Sequence, residues 1–267
     1  MSDAEASIGI FDSGVGGLTV FRAIKERLPE ESLVYLGDTA RVPYGSKSGA
    51  AVTRYALACA EVLLKDDVKL LVVACNTASA HALDALREEL DLPVLGVIEP
   101  GARLAVERTR TGAVGVIGTV STIRSAAYQD ALQALAPRLR VYAKACPLFV
   151  PLAEEGWTDG YVPEAIAHAY LDELKESGVD VLVLGCTHYP LLKPIIRDVM
   201  GPEVELVDSA ETTASAVEAT LAGIGLAAPS GNPPSFGYKV TDSPEAFAQV
   251  GARFLGHPID SVEWVDF

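Results

Sequence analysis

The arrangement of apolar and polar positions predicts short buried strands, each followed by a helix. The stretch VLVLGCTHYP at 181–190 shows this most clearly, because four apolar residues end at a glycine and are followed by cysteine, threonine and histidine. A short apolar run that ends at glycine is typical of a strand buried on both faces, and a helix can begin at Pro190. KLLVVACNTASAHAL at 69–83 repeats the arrangement. We therefore expect Cys75 and Cys186 at strand-to-helix junctions, on the sheet edge where open α/β folds bind ligands.

The same alternation continues along the rest of the chain. Residues 8–28 predict a strand, a glycine-rich turn that contains Asp12 and Ser13, and an amphipathic helix. Such a turn before a helix suits a small carboxylate, because free N–H groups point outward there. Further strands are predicted at 33–38, 70–74, 93–100, 113–118, 140–147 and 236–241. Further helices are predicted at 50–65, 77–90, 163–177 and 210–223. Three more helices are expected: one that ends at about 109, one that ends at about 135, and one that begins after Ser243. We expect loops at 39–48, 151–157 and 223–235, closure of the second half at 206–212, and a last strand or tail in SVEWVDF at 261–267.

The order of these elements occurs twice, which predicts an internal duplication. Asp12 precedes Cys75 by 63 residues, and Thr119 precedes Cys186 by 67. Alternating strands and helices predict an α/β fold with mainly parallel sheets. About 55 residues follow the second half, too few for a third domain, so we expect them to complete the first. The predicted domains are 1–98 plus 210–267, and 99–209.

Composition and charge narrow the function. The chain of 267 residues is 49% hydrophobic, enough for a sizeable core, and its net charge of −15 argues against a nucleic-acid partner. The N-terminus lacks the features of a signal peptide, and no stretch approaches the roughly 18 apolar residues of a membrane span. A cytoplasmic location with reduced thiols is therefore expected. The four cysteines form no CxxC pair, and Cys59 and Cys146 are expected to pack in the core.

The remaining two cysteines suggest a specific chemistry. A thiol at a helix N-terminus is favoured as thiolate, which makes it a usable acid or base. Two thiols that face one pocket can remove a proton from one side of a carbon and deliver a proton to the other, which inverts a stereocentre without a cofactor. Asp12 is placed to assist one cysteine or bind an ammonium group, and His188 to assist the other. Several polar side chains and the turn N–H groups could hold two carboxylates: Ser13, Asn76, Thr77, Thr119 and Thr187.

Four segments carry a family resemblance: FDSGVGGLTV at 11–20, GDTARVPYG at 37–45, ACNTASA at 74–80 and LGCTHYPLL at 184–192. Together they resemble the cofactor-independent glutamate racemases of bacterial cell-wall synthesis. The resemblance implies two pseudo-symmetric α/β domains with the active site in the cleft between them. It implies neither pyridoxal phosphate nor a metal. Members of that family are often dimers, so we expect a homodimer.

The resemblance also assigns roles to individual residues. Cys75 and Cys186 would be the two acid/base residues, with Asp12 supporting Cys75, and His188 and Glu154 supporting Cys186. The short PLAEEGW motif leaves the choice between Glu154 and Glu155 open. The substrate would be held by Asp12, Ser13, Tyr44, Gly45, Asn76, Thr77, Thr119, Thr122, Thr187 and His188. His81, His168 and His257 are expected to be surface or core residues.

The leading hypothesis is therefore interconversion of L- and D-glutamate, which supplies D-glutamate for peptidoglycan. Racemisation of aspartate or another acidic amino acid is the nearest alternative. A zinc site built from Cys75, Cys186 and His188 is a second alternative, since all three are acceptable ligands. A third is inhibition of DNA gyrase, which some glutamate racemases show, usually with an N-terminal extension. Only seven residues precede the first predicted strand here, which argues against that role.

Overall fold

The apolar runs form two separate sheets, in which paired strands run parallel. The computed structural model describes residues 3–266, so residues 1, 2 and 267 of the predicted first domain, including the last residue of SVEWVDF, lie outside the described residues. The strands are β1 (Ser7–Asp12), β2 (Leu33–Gly37), β3 (Val68–Val73), β4 (Val94–Gly96), β5 (Ala113–Gly118), β6 (Arg140–Ala145), β7 (Val181–Gly185), β8 (Glu205–Asp208), β9 (Phe236–Val240) and β10 (Glu263–Trp264). The helices are α1 (Leu18–Arg27), α2 (Gly49–Leu63), α3 (Asn76–Glu89), α4 (Ile98–Arg108), α5 (Val120–Arg124), α6 (Ala127–Leu135), α7 (Phe149–Glu155), α8 (Tyr161–Glu176), α9 (Lys193–Met200), α10 (Ser209–Ile224) and α11 (Pro244–Leu255).

The two sheets share one strand order. Across residues 3–266 the first sheet runs β10-β9-β2-β1-β3-β4 and the second β6-β5-β7-β8. When the strands of each half are numbered from that half's first strand, β2-β1-β3-β4 and β6-β5-β7-β8 both have the order second, first, third, fourth. Cys75 follows β3 and Cys186 follows β7, which hold equivalent places in this order. The predicted fold class is confirmed, and the common order agrees with the predicted duplication.

Burial on both faces explains the unbroken apolar runs of the central strands. In β1, Ile8 and Ile10 belong to a core cluster that includes α1 and α11, whereas Phe11 points into a second cluster with α2 and α3. Strand β7 divides its residues between two clusters of the second sheet in the same way. A strand covered by helices on both faces has no reason to alternate apolar with polar residues.

The segment after α10 completes the first sheet. Strand β9 pairs with β2, and β10 pairs with β9. A buried ion pair joins this segment to the sheet: Lys69 Nζ lies 2.6 Å from Glu31 Oε2, and Glu31 Oε1 accepts a hydrogen bond from the backbone N–H of Ala228 at 2.7 Å. The domain boundaries at 98/99 and 209/210 stay predictions.

The strand predicted at 93–100 is wrong in its second half. Strand β4 ends at Gly96 and α4 begins at Ile98, so Pro100 lies in the first helical turn. A proline is accommodated there because the first N–H groups of a helix have no partner within the helix. Residues 206–212, which were expected to close the second half, contain the end of β8 at Asp208 and the first turn of α10.

Two further predictions are corrected in the second half. The single helix predicted up to about 135 is two helices, because Ala126 between α5 and α6 adopts a left-handed conformation with φ of 59°. The loop predicted at 151–157 is mostly helix α7, with Pro151 in its first turn and Gly156 closing it at φ of 76°. Glu154 therefore lies on a helix. Within residues 3–266 no helix combines the length and the apolar character needed to cross a membrane.

Candidate active site

A cavity of about 400 Å³ lies where the carboxyl ends of the two sheets face each other. Its walls come from both halves, because the loops after β1 and β3 meet the loops after β5 and β7. Of the predicted site residues, those lining it are Ser13, Tyr44, Gly45, Cys75, Asn76, Thr77, Thr119, Glu154, Cys186, Thr187 and His188. A larger groove of about 730 Å³ between α1, α4 and α10 contains none of these residues. The structure thus places both predicted cysteines on one cavity.

Cys75 caps the N-terminus of α3 through its sulfur. Its Sγ accepts a hydrogen bond from Ala78 N–H at 3.4 Å, and its thiol donates to Ser13 Oγ at 3.7 Å. Burial, and after it the charge of the nearby Asp12 carboxylate, raise the pKa of the Cys75 thiol to about 12, and the hydrogen bonds with Ala78 N–H and Ser13 only partly oppose them. The expectation that the helix N-terminus makes this group a thiolate near neutral pH is wrong, because desolvation outweighs the helix dipole.

Cys186 has different surroundings. A helix directly after it was predicted, but Tyr189–Leu192 forms a 3₁₀ turn and α9 begins only at Lys193. Pro194 cannot donate the hydrogen bond that a continuous α-helix would need there. In place of a helix N-terminus, Cys186 Sγ has the imidazole of His188, whose Nδ1 lies 3.8 Å away.

His188 connects Cys186 to Glu154. Its Nε2 lies 2.9 Å from Glu154 Oε1, and its ring packs edge to face on Phe254, with centroids 5.1 Å apart. Burial alone would lower the pKa of His188, but its hydrogen bonds with Cys186 and Glu154 outweigh burial and raise the pKa to about 10. Glu155 instead lines a separate apolar groove beside Trp157. Glu154 is therefore the glutamate of PLAEEGW that reaches the site.

Asp12 lies behind the cavity wall instead of lining it. The residue is 1% exposed, its Oδ2 accepts a hydrogen bond from Gly14 N–H at 3.0 Å, and its Oδ1 has no hydrogen-bond partner among the described residues. Burial raises the pKa of the Asp12 carboxyl, and the positive charge of His188 opposes that effect. A Cβ at Gly17 would stand 2.5 Å from Asp12 Cβ, so the turn can pack against Asp12 only with glycine at residue 17.

The Tyr44 loop is held by a residue that sequence analysis missed. Tyr44 donates a hydrogen bond from its hydroxyl to Asp38 Oδ2 at 2.5 Å. Asp38 is fully buried and also accepts from Thr241 Oγ1 on the C-terminal segment at 2.9 Å. Asp38 belongs to the GDTARVPYG segment, which was the only signal that could have drawn attention to it.

Three threonine hydroxyls join the two halves beside the cysteines. Thr77 Oγ1 lies 3.0 Å from both Thr119 Oγ1 and Thr122 Oγ1, which are themselves 3.0 Å apart. Thr122 does not line the cavity, although it touches two residues that do. The approach is close: a Cβ at Gly45 would stand 2.8 Å from Thr119 Cβ.

The other histidines lie outside this arrangement. His81 Nε2 is 3.0 Å from Ser121 Oγ beside a neighbouring cavity, His168 forms an exposed pair with Asp172, and His257 contacts a backbone carbonyl. Among residues 3–266 no three His, Cys, Asp or Glu side chains are grouped so that they could hold a metal ion. The zinc alternative therefore has no ligand cluster in the described part of the chain.

Comparison with known proteins identifies the family of this chain. The Asp/Glu/Hydantoin racemase family matches residues 8–217. A glutamate racemase of Geobacter metallireducens is 58% identical over 256 residues, which cover 96% of this chain and 95% of that protein. A crystal structure of a glutamate racemase isoform from Bacillus anthracis superposes with a TM-score of 0.95 at 42% identity, covering 98% of each chain. That of the Francisella tularensis glutamate racemase in complex with D-glutamate has a TM-score of 0.92 at 37% identity, again over 98% of each chain. The chain therefore belongs to the Asp/Glu/Hydantoin racemase family.

Proposed function

We infer that this protein is a glutamate racemase that interconverts L- and D-glutamate by acid/base chemistry at two cysteines. The observation that carries this inference is the pair Cys75 and Cys186, which follow equivalent strands and line one cavity. The activity named for its relatives supports the choice of glutamate. D-glutamate is a component of peptidoglycan, so the enzyme supplies D-glutamate for cell-wall synthesis.

The proposed reaction is a proton transfer at one carbon. The thiolate of one cysteine removes the α-proton, and the electron pair left on the α-carbon delocalises into the α-carboxylate. The thiol of the other cysteine then donates its proton to the opposite face of the carbon. The first sulfur ends as a thiol and the second as a thiolate, so the product complex is ready for the reverse reaction.

The neighbours of the two sulfurs suggest which one starts with the proton. Cys75 has a raised pKa and an anionic neighbour, Asp12, so it holds its proton in the free enzyme. Cys186 has the imidazole of His188 beside it, and that imidazole stays protonated at neutral pH because its pKa is about 10. A cationic partner stabilises a thiolate. The resting enzyme is therefore proposed to present Cys186 as base and Cys75 as acid.

Hydroxyl and amide groups are proposed to hold the substrate. Ser13, Asn76 and Thr187 border the cavity close to the two sulfurs and can donate to carboxylates. The three hydroxyls of the threonine cluster satisfy one another without a ligand and can turn toward a carboxylate when one enters. Asp12, whose Oδ1 has no hydrogen-bond partner within residues 3–266, is proposed to interact with the substrate ammonium group or with Cys75.

Measurement of optical rotation or circular dichroism with each enantiomer of glutamate and of aspartate tests the activity. Wild-type protein should racemise glutamate in both directions, and Cys75→Ala and Cys186→Ala should each abolish turnover. Cys146→Ala is the matched control, because Cys146 is also a buried free cysteine but does not line the cavity. Near wild-type turnover in either site variant would contradict the two-thiol mechanism, and faster turnover of aspartate would contradict the choice of substrate.

We further propose a cytoplasmic homodimer. The four cysteines are free, as expected in a reducing compartment. Light scattering during size-exclusion chromatography would measure the assembly, and restoration of growth in a bacterial strain that requires D-glutamate would test the cellular role.

A further inference from the structure

Tyr128 touches the neighbours of both proposed catalytic cysteines. It lies on α6, is fully buried and does not line the cavity. Its hydroxyl donates a hydrogen bond to Asn76 Oδ1 at 2.7 Å, and Asn76 directly follows Cys75. Its ring lies against Gly185, which directly precedes Cys186: a Cβ there would stand 2.9 Å from Tyr128 Cε2. One side chain from the second half is thus in contact with both cysteine-bearing segments.

The hydrogen bond from Tyr128 determines which atoms Asn76 presents to the cavity. A carboxamide has an acceptor oxygen and two N–H donors, and rotation by half a turn exchanges them. The other contact of the Asn76 amide is Nδ2 with Ser209 Oγ at 3.4 Å, which is long for a hydrogen bond. Since Tyr128 holds Oδ1 at 2.7 Å, the second Nδ2 hydrogen has no hydrogen-bond partner among the described residues, and Asn76 lines the cavity where a ligand could accept it.

This orientation suits a carboxylate and opposes the alternative. An N–H group stabilises a carboxylate oxygen, whereas a rotated amide would place a carbonyl oxygen against it. Burial, and the charges that Cys186 and Asp208 would carry, raise the pKa of the Tyr128 phenol. The hydroxyl therefore keeps its proton and remains a donor over the whole pH range in which the enzyme would work.

We propose that Tyr128 is a positioning residue: its hydroxyl orients the Asn76 amide as a donor to a substrate carboxylate, while its ring packs against Gly185 beside Cys186. This inference rests on the proposed function.

Tyr128→Phe tests the hydroxyl, because it removes one oxygen and keeps the ring. We expect the KM for glutamate to rise about tenfold, as the loss of one orienting hydrogen bond predicts, with a much smaller change in kcat. Tyr189→Phe is the matched control: Tyr189 is also fully buried and donates to a backbone carbonyl, that of Cys146, at 2.9 Å. Both variants should lose similar thermal stability, but only Tyr128→Phe should raise KM. An unchanged KM in Tyr128→Phe, or an equal rise in both variants, would overturn the proposal.

Asn76 provides two further measurements. If the hydroxyl acts through Asn76, the KM effects of Tyr128→Phe and Asn76→Ala are not additive in the double variant, whereas additive effects contradict the inference. Asn76→Asp keeps an acceptor for Tyr128 but removes the N–H, so its KM should be at least that of Asn76→Ala. A wild-type KM in Asn76→Asp would overturn the proposal even if Tyr128→Phe failed to fold. Absence of glutamate racemisation in the wild-type protein would instead refute the proposed function.

Discussion

His188 Nε2 lies 2.9 Å from Glu154 Oε1, in a pair that stands on the Cys186 side of the cavity. Within residues 3–266 the hydrogen-bond partners of Cys75 Sγ are Ser13 and Ala78 instead of an imidazole, and the charged group that raises the pKa of its thiol is the carboxylate of Asp12. Two halves with the same strand order therefore give their cysteines neighbours of opposite charge.

Glu154→Gln should lower the pKa of His188. The variant removes a charged partner, and a hydrogen bond to a charged group contributes about 1.5–3 kcal/mol, so the pKa should fall from about 10 by roughly one to two. NMR titration of protein with labelled histidine rings measures this directly, and the His188 signal is identified by its loss in His188→Asn. Glu155→Gln is the control, since Glu155 does not contact His188, and it should leave the titration unchanged.

The hydrogen-bonded pair of His188 and Glu154 makes the stability of the fold depend on pH. Folding raises the pKa of His188 above its ordinary value of 6.5, so the stabilisation is complete below pH 6.5 and is lost as the pH rises through about 10. The melting temperature of the wild-type protein should fall across this range more than that of Glu154→Gln. Parallel curves for the two proteins would show that the pair does not stabilise the fold.

Asp12→Asn should let Cys75 ionise at lower pH. The substitution keeps the shape of the side chain and removes its negative charge. That charge is the second largest cause of the raised pKa of the Cys75 thiol, and burial is the largest. Thiolate absorbance, measured as the difference between each protein and its Cys75→Ala version, reports this ionisation. Racemisation should nevertheless fall by about 10²-fold if Asp12 assists proton transfer. Asp84→Asn, at an exposed position of α3, should change neither quantity.

Gly45→Ala should reduce activity with little effect on folding. The new Cβ would meet Thr119 Cβ at 2.8 Å, so the two halves must separate slightly at the cavity. Misplacement by about 1 Å can lower a rate by about 10²-fold, which kcat/KM measurements would detect. Gly223→Ala is the control: its Cβ meets nothing within 4 Å on α10, and it should stabilise the protein by about 0.5–1 kcal/mol without a change in activity.

Asp38→Ala should weaken both the fold and substrate binding. The buried carboxylate holds the hydroxyls of Tyr44 and Thr241, which link the cavity loop to the C-terminal segment. Loss of hydrogen bonds to a charged group predicts a destabilisation of about 3 kcal/mol in chemical unfolding. Tyr44→Phe removes only one of these bonds, so it should raise KM with a smaller loss of stability. A larger loss of stability in Tyr44→Phe would contradict this account.

The sequence was sufficient for the features that depend on local pattern. The places of Cys75 and Cys186 followed from apolar runs that end at a cysteine, because a buried strand has a recognisable composition. Glu154 was expected in a loop and lies on a helix, because Pro151 is tolerated in a first turn and the periodicity of so short a helix is weak.

Features that depend on distant contacts could not be predicted in this way. Tyr128 and Asn76 are 52 residues apart, and nothing near either residue indicates their hydrogen bond. The raised pKa of Cys75 was missed for a related reason: the helix N-terminus is visible in the sequence, but the burial that outweighs it is not.

The unequal neighbours of the two sulfurs have a thermodynamic consequence for the kinetics. Mirror-image amino acids have equal free energies in water, so the equilibrium constant of a racemase is one, and kcat/KM must be identical for the two enantiomers. Cys186 has an imidazolium neighbour and Cys75 a carboxylate neighbour, and this difference can therefore affect only the separate values of kcat and KM. Between L- and D-glutamate, kcat and KM must differ by the same factor. The enantiomer with the higher KM must therefore also be the one with the higher kcat.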